Sequence, residues 1–182
     1  VGLTADDLVI RISSRKVLEE VLGSLGISGD AFAATCIIVD KMDKLPDDVV
    51  AAQLAEQGLG EDAVATIQST LGVDDLDSLA AALGGDSAAV SELAALFDLI
   101  DAYGIADWVA FDASVVRGLA YYTGPVFEAH DRAGQLRAIC GGGRYDPLLS
   151  SLGGNDMPAT GFGFGDMVIM RSEEHTSELQ SQ

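Results

Sequence analysis

Helix-forming sequence fills the middle of this chain and separates two regions that read as β-strands, and this order constrains the fold most strongly. From about Asp30 to Tyr103 the residues are mainly Ala, Leu, Asp and Glu, with repeated glycines that end helices. Pro46 suits the first turn of a helix that reaches Glu56. Further short amphipathic helices are predicted at about 61–71, 75–83 and 87–103.

The two flanking regions have the composition of strands. Leu8–Ile12 is a short β-branched run, and Ser13 or Ser14 would cap the helix that follows it. After Gly104, strands are predicted at about 108–111, 125–129, 136–140 and 161–169, with a short helix at 146–152. The sequence therefore predicts an antiparallel α+β domain formed by 1–29 and 105–170, with a helical insertion at 30–104.

Acidic residues dominate the charge, with 29 Asp and Glu against 10 Lys and Arg and a net charge of −19. Such a surface repels phosphate backbones, so non-specific nucleic-acid binding is not expected. The longest apolar runs are much shorter than the roughly 20 residues that cross a bilayer, and no membrane partner is expected. Cys36 and Cys140 lack the spacing of a zinc site, so no metal site on the protein is predicted.

Both ends of the sequence look incomplete. Val1 is not an initiator methionine, and we expect the natural beginning to lie upstream. The hydrophobic pattern stops after Met170, and residues 171–182 resemble the translation of a sequencing-adapter oligonucleotide. We therefore expect 171–182 to take no part in the fold.

Arg117 lies in an apolar and aromatic segment, Val116–Gly124, of an otherwise acidic chain. A half-buried arginine requires an anion, and its planar fork suits a carboxylate or a phosphate. Two interpretations stay open, a ligand anion or an ion pair with a core aspartate. If the segment is a strand, Tyr121 and Tyr122 point to opposite faces, and only one of them can line a given pocket.

Two glycine-rich segments follow. Gly141–Gly143 indicates either a tight turn or the close approach of a ligand to the backbone, and it lacks the spacing of a phosphate-binding P-loop. In Gly161–Gly165, alternate glycines leave one face of a strand bare, whereas Phe162 and Phe164 would fill the other face with core. The bare face would accept either a planar ring such as adenine or a closely packed helix.

In this order the segments resemble the signatures of class II histidine–tRNA ligases. Arg117–Gly124 with Val126–Glu128 is similar to the histidine-recognition signature, and Gly142–Asp146 followed by Leu152–Gly154 is similar to the second signature. Gly161–Ile169 stands where class II synthetases have their third motif. The resemblance implies an antiparallel-sheet catalytic domain with a helical insertion, which activates L-histidine with ATP and transfers it to tRNA(His).

The resemblance also implies a role for each matching residue. Arg117 would contact the carboxylate of histidine and the α-phosphate of ATP, and would act in catalysis without a protein nucleophile. The other residues would bind histidine (Tyr121, Tyr122, Tyr145) or the adenylate (Gly142, Gly143, Arg144, Gly161, Gly163, Gly165). Mg²⁺ on the phosphates, a homodimer, and tRNA contacts made mostly outside this chain are implied as well. The compartment would be the cytoplasm, or alternatively a chloroplast or mitochondrion.

Two positions depart from the family pattern, and both departures resemble a plant- or alga-type branch. Ala120 replaces an acidic residue, and Val168 stands near a position that usually carries an adenine-stacking arginine. The resemblance places the first two class II motifs and the anticodon-binding domain outside this chain. We therefore expect the isolated chain to be inactive and poorly folded.

Two alternatives to the ligase compete for the same features. One is a non-catalytic regulatory subunit of ATP phosphoribosyltransferase that binds histidine. Such a subunit typically lacks the arginine of the first signature, so Arg117 and the intact Gly141–Asp146 segment favour the ligase. The other is an acidic interaction module without a small-molecule site, which leaves Arg117 and both glycine patterns without a cause.

Overall fold

A computed structural model describes residues 2–119, 121–134 and 137–165 of the chain. Its strands are β1 (Leu8–Ser14), β2 (Val109–Phe111), β3 (Pro125–Asp131), β4 (Cys140–Arg144) and β5 (Thr160–Phe164). Its α-helices are α1 (Arg15–Ser24), α2 (Gly29–Val39), α3 (Asp47–Glu56), α4 (Glu61–Leu71), α5 (Leu76–Ala82), α6 (Ala88–Ala102) and α7 (Leu148–Ser151). Short 3₁₀ turns occupy Met42–Lys44 and Ala106–Trp108.

The five strands form one sheet in the order β2-β1-β3-β4-β5. The pairs β1–β3, β3–β4 and β4–β5 are antiparallel, whereas β2 runs parallel to β1. Parallel neighbours require a long crossover connection, and the helices between Ser14 and Val109 provide it. The predicted α+β class with a mainly antiparallel sheet is therefore confirmed.

Helices α1 to α6, called the helical layer from here on, share one apolar core. The side chains with no exposed surface in this core include Leu22, Leu54, Ile67, Leu79 and Leu93. Burying one such side chain stabilises the fold by roughly 1.5–3 kcal/mol. The helices predicted at 61–71, 75–83 and 87–103 are confirmed to within one residue at each end. No helix in the described ranges is long and apolar enough to span a membrane.

The strand predicted at 136–140 is wrong. β4 begins at Cys140 and continues through all three glycines to Arg144, and Leu136 lies outside the described residues. Consecutive glycines weaken a strand, but β4 is hydrogen-bonded on both sides, to β3 and to β5. These two ladders, which no local pattern reveals, decide where the strand lies.

The aromatic side chains depart from the strand geometry considered above. Tyr121 and Tyr122 lie in the loop before β3, so the strand condition does not apply to them, and their rings pack together. The expectation that Phe162 and Phe164 fill core is wrong. Phe162 and Phe164 are 66% and 55% exposed, because β5 is an edge strand among the described residues. Outside the described residues lie Ala120, positions 166–169 of the predicted last strand (Val168 among them), and the segment 171–182.

Candidate active site

One face of β4 and β5 carries only glycines, beside Val126 and Glu128 of β3. In the sheet register, Gly141 lies between Glu128 on β3 and Gly163 on β5. Gly143 lies in the same way between Val126 and Gly161. Paired residues share a face, and alternate residues along a strand return to it. The bare face that the alternating glycines predict is therefore present, and it extends across two strands.

Arg117 reaches this face from the loop between β2 and β3. Its Nη1 donates a hydrogen bond to Glu128 Oε1 at 2.5 Å. A Cβ built on Gly141 would overlap the Arg117 guanidinium, so only glycine leaves room for this side chain. The Arg117 backbone has φ +54°, a left-handed conformation that is uncommon outside glycine. Both the ion pair and the missing Cβ hold the guanidinium against β4.

Glu128 links Arg117 to a second side chain, since its Oε2 lies 3.1 Å from His130 Nε2. The hydrogen bond from His130 and the hydrogen bond and charge of Arg117 outweigh burial, so the pKa of Glu128 is below its usual value. Burial opposes the charge of Arg117, but Glu128, with a smaller contribution from Tyr122, raises the pKa of the guanidinium. Both groups are therefore charged at neutral pH. Of the two interpretations open for Arg117, the ion pair is present, with glutamate in place of aspartate.

Three tyrosines cluster beside Arg117. The ring centroids of Tyr121 and Tyr122 are 4.8 Å apart, and Tyr145 packs against both at 5.6 and 6.3 Å. Glycines make room for two of the rings. A Cβ on Gly143 would come within 2.9 Å of the Tyr122 ring, and one on Gly161 would overlap the Tyr145 hydroxyl. The rings and Arg117 therefore occupy the same glycine face.

Gly142 and Arg144 do not share this face, because they alternate with Gly141 and Gly143 along β4. A Cβ on Gly142 would overlap the Gly161 carbonyl oxygen. The exposed Arg144 guanidinium donates from Nε to Asp146 Oδ1 at 2.8 Å. The structure therefore brings together most of the predicted site residues, but it turns the side chain of Arg144 away from them.

Two neighbouring cavities meet at Arg117. The first, of about 410 Å³, is open and is lined by Arg117, Arg137, Ala138, Ile139, Cys140, Gly141, Gly163, Phe164 and Gly165. The second, of about 380 Å³, also has Arg117 and Arg137 in its wall, together with Asp40, Glu128 and His130. A larger cavity of about 550 Å³ lies between α2, α3, α4 and β2, away from the glycine face.

Sequence reasoning missed Arg137 and His130. No motif marks either residue, because their positions depend on how β3 and β4 pair. The available signal was charge, since basic residues are scarce in this chain. Gly165, by contrast, was predicted and lines the open cavity.

Known proteins similar to this chain share one description. A family model described as "Histidyl-tRNA synthetase" matches residues 1–165. The chain is 52% identical over 170 residues to "Histidine--tRNA ligase, chloroplastic/mitochondrial" of Arabidopsis thaliana, covering 93% of this chain and 35% of that protein. It is 42% identical over 176 residues to "Histidine--tRNA ligase" of Opitutus terrae, covering 92% of this chain and 40% of that protein.

A solved structure gives the same result. The histidyl-tRNA synthetase from Nostoc sp. PCC 7120 superposes with a TM-score of 0.80 at 28% sequence identity, covering 97% of this chain and 44% of that one. The chain thus spans less than half the length of these relatives.

Proposed function

The chain belongs to the histidyl-tRNA synthetase family, and from this premise we propose that the protein containing it is a histidine–tRNA ligase. The reaction would join the carboxylate of L-histidine to the α-phosphate of ATP, release pyrophosphate, and then transfer histidine to tRNA(His). The observation that supports this best is the Arg117 guanidinium, held against glycine strand β4 by Glu128. A fixed cation beside a bare sheet face suits a reaction on a nucleotide phosphate.

Arg117 would stabilise the charge that develops in the first step. When a carboxylate oxygen of histidine attacks the α-phosphate, negative charge increases on the phosphate oxygens before the bond to pyrophosphate breaks. A guanidinium has five N–H donors, so the bond to Glu128 leaves others to point at these oxygens. Because the Glu128 ion pair fixes Arg117 in advance, little reorganisation is needed during the reaction.

The tyrosine cluster would form the histidine pocket. The rings of Tyr121, Tyr122 and Tyr145 pack together, and the Tyr122 hydroxyl interacts with the Arg117 guanidinium, where the carboxylate of the amino acid would lie. A pocket built to hydrogen-bond a polar side chain rejects apolar amino acids strongly, because they leave its polar groups unpaired. Burial and the neighbouring Tyr122 raise the pKa of Tyr121.

The glycine face of β5 would hold the nucleotide. A Cβ on Gly163 would meet no atom within 4 Å, so the space above this residue is open. Gly163 and Gly165 would let adenine approach the backbone. Gly143 and Gly161 instead make room for the Tyr122 and Tyr145 rings, and Gly142 and Arg144 lie on the other face of β4. Within the described ranges, no group of three or more His, Cys, Asp or Glu could hold a metal ion. Mg²⁺ would arrive with ATP, bound to its phosphates.

The remaining features of the proposal concern the protein as a whole. Residues 1–29 and 105–170 would belong to its catalytic domain, and 30–104 would be an insertion. A homodimer, and most contacts with tRNA(His), would involve segments outside this chain, which agrees with its acidic surface. A chloroplast or mitochondrion is favoured over the cytoplasm, because the Arabidopsis relative is chloroplastic/mitochondrial.

Histidine-dependent ATP–pyrophosphate exchange tests this proposal in the full-length protein, with the flanking sequence of its own gene. We expect exchange with histidine and with no other amino acid. Arg117→Ala should slow exchange by about 10²–10³-fold, as loss of one transition-state donor does elsewhere. Arg132→Ala is the matched control, because Arg132 donates to the Ala5 and Asp107 carbonyls instead. A folded protein that binds histidine without exchange would contradict the ligase and favour the regulatory-subunit alternative.

A further inference from the structure

Arg137 stands at the same junction as Arg117. Each of these arginines lines both the open cavity above Gly163 and the neighbouring cavity that contains Glu128. Arg137 is exposed and lies just before Ile139, whose backbone oxygen accepts a hydrogen bond from Gly165 N at 2.8 Å. Its position therefore depends on the pairing of β4 with β5 and not on a recognisable motif.

The charges around the open cavity differ from those of the rest of the chain. Arg117 and Arg137 are the charged residues in its wall, and no carboxylate belongs to that wall among the described residues. Glu128 neutralises Arg117 from the side of β3. No ion pair joins Arg137 to an acidic residue within the part of the chain that the structure describes. Arg137 is thus the charge that leaves this cavity net positive, in a chain with a net charge of −19.

We propose that Arg137 is a second anion-binding residue of this site and that it binds the α-phosphate of the nucleotide beside Arg117. The proposal rests on the proposed function, since it names the nucleotide as the ligand. Two guanidinium groups in one wall suit a phosphate better than an uncharged base, because each can donate charge-assisted hydrogen bonds to its oxygens. Arg137 would bind the α-phosphate, whereas Arg117 stabilises the charge that develops on this phosphate during the reaction.

Three variants of the full-length protein test this role. Arg137→Gln removes the charge, Arg137→Lys keeps the charge without the fork, and Lys41→Gln removes a charge from an exposed residue that lines neither cavity. We would measure the KM for ATP and for histidine in the exchange assay, and the affinities for AMP and for adenosine by calorimetry. The urea midpoint of each variant serves as the check on folding.

We expect Arg137→Gln to raise the KM for ATP roughly tenfold, as loss of a hydrogen bond between charged groups does. The affinity for AMP should fall by a similar factor. Adenosine affinity, the KM for histidine and the urea midpoint should stay unchanged, Arg137→Lys should recover part of the loss, and Lys41→Gln should behave as wild type. The proposal would be overturned by an unchanged KM for ATP, or by an affinity for adenosine that falls as much as the affinity for AMP. A wild-type protein without exchange would instead count against the ligase, and the AMP and adenosine affinities would still decide the role of Arg137.

Discussion

Glycine serves different purposes in the helical layer and in strands β4 and β5. Gly58 and Gly84, which follow helices, have φ of +86° and +87°, and a Cβ on either would meet no atom within 4 Å. Gly141, Gly143 and Gly161 have no such backbone, yet a Cβ on each would collide with a side chain. In the helical layer glycine permits a turn, and in the strands it makes room for a distant side chain.

This difference separates local from long-range requirements. Glycine is required at position 84 because of the backbone angles of that residue, and a change elsewhere in the chain would leave those angles intact. Gly141 depends on Arg117, which is 24 positions earlier and is itself held by Glu128. Substitutions in the helical layer should therefore change stability, whereas substitutions in the glycine strands should change activity.

Among the glycine substitutions, the largest effect is expected from Gly141→Ala. The added methyl group would displace the Arg117 guanidinium, so exchange should fall about 100-fold, which corresponds to about 2.7 kcal/mol of transition-state stabilisation. The urea midpoint should change much less. The exchange rate and the unfolding curve of the full-length variant check this expectation. A collapse of stability with normal exchange in the folded fraction would remove the distinction between the two regions.

Paired alanine substitutions in the helical layer should have opposite signs. Gly84→Ala should destabilise by roughly 1–2 kcal/mol, because the new side chain would enter a left-handed conformation. Gly23→Ala, inside α1 where a Cβ meets nothing within 4 Å, should stabilise by roughly 0.5–1 kcal/mol. Urea unfolding measures both changes, and KM values should stay at wild type. Equal effects of one sign would show that backbone angle does not decide the role of glycine here.

The smallest effect concerns pH. The folded-state pKa of Glu128 is lowered by His130 and Arg117, with Arg11 as its register partner on β1. A lowered pKa means that the ion pair contributes stability above the ordinary value of 4.5, and this is lost as the pH falls through the folded-state pKa. The free energy of unfolding should therefore fall less between pH 7 and pH 4 in Glu128→Gln than in wild type. Identical losses in both proteins would mean that this pair adds nothing to stability.

Local pattern was enough to predict most of the helical layer, although it gave no bounds for α2. The predicted helix at 61–71 coincides with α4, because apolar spacing, acidic first turns and terminal glycines all act within a few residues. The same reasoning identified Ser14 as a candidate cap, and its side chain accepts a hydrogen bond from Lys16 N.

The glycine strands were harder to predict for a physical reason. Glycine has no side chain whose periodicity could indicate a strand, so β4 was placed too early in the sequence. Family resemblance selected Arg117, Tyr122 and Tyr145, but the physical link between Arg117 and Gly141 appears only when the strands are paired. Arg137 carried no motif at all, and its place beside Arg117 follows from that pairing.

A double-mutant cycle between Arg117 and Gly141 tests most directly that glycine makes room for the catalytic side chain. Exchange would be measured for wild type, Arg117→Ala, Gly141→Ala and the double variant. If Gly141 acts only by admitting the guanidinium, adding Gly141→Ala to Arg117→Ala should change the rate by less than about twofold, well below the roughly 100-fold expected in wild type. If the two losses multiply instead, Gly141 acts independently of Arg117, and the account of this site is wrong.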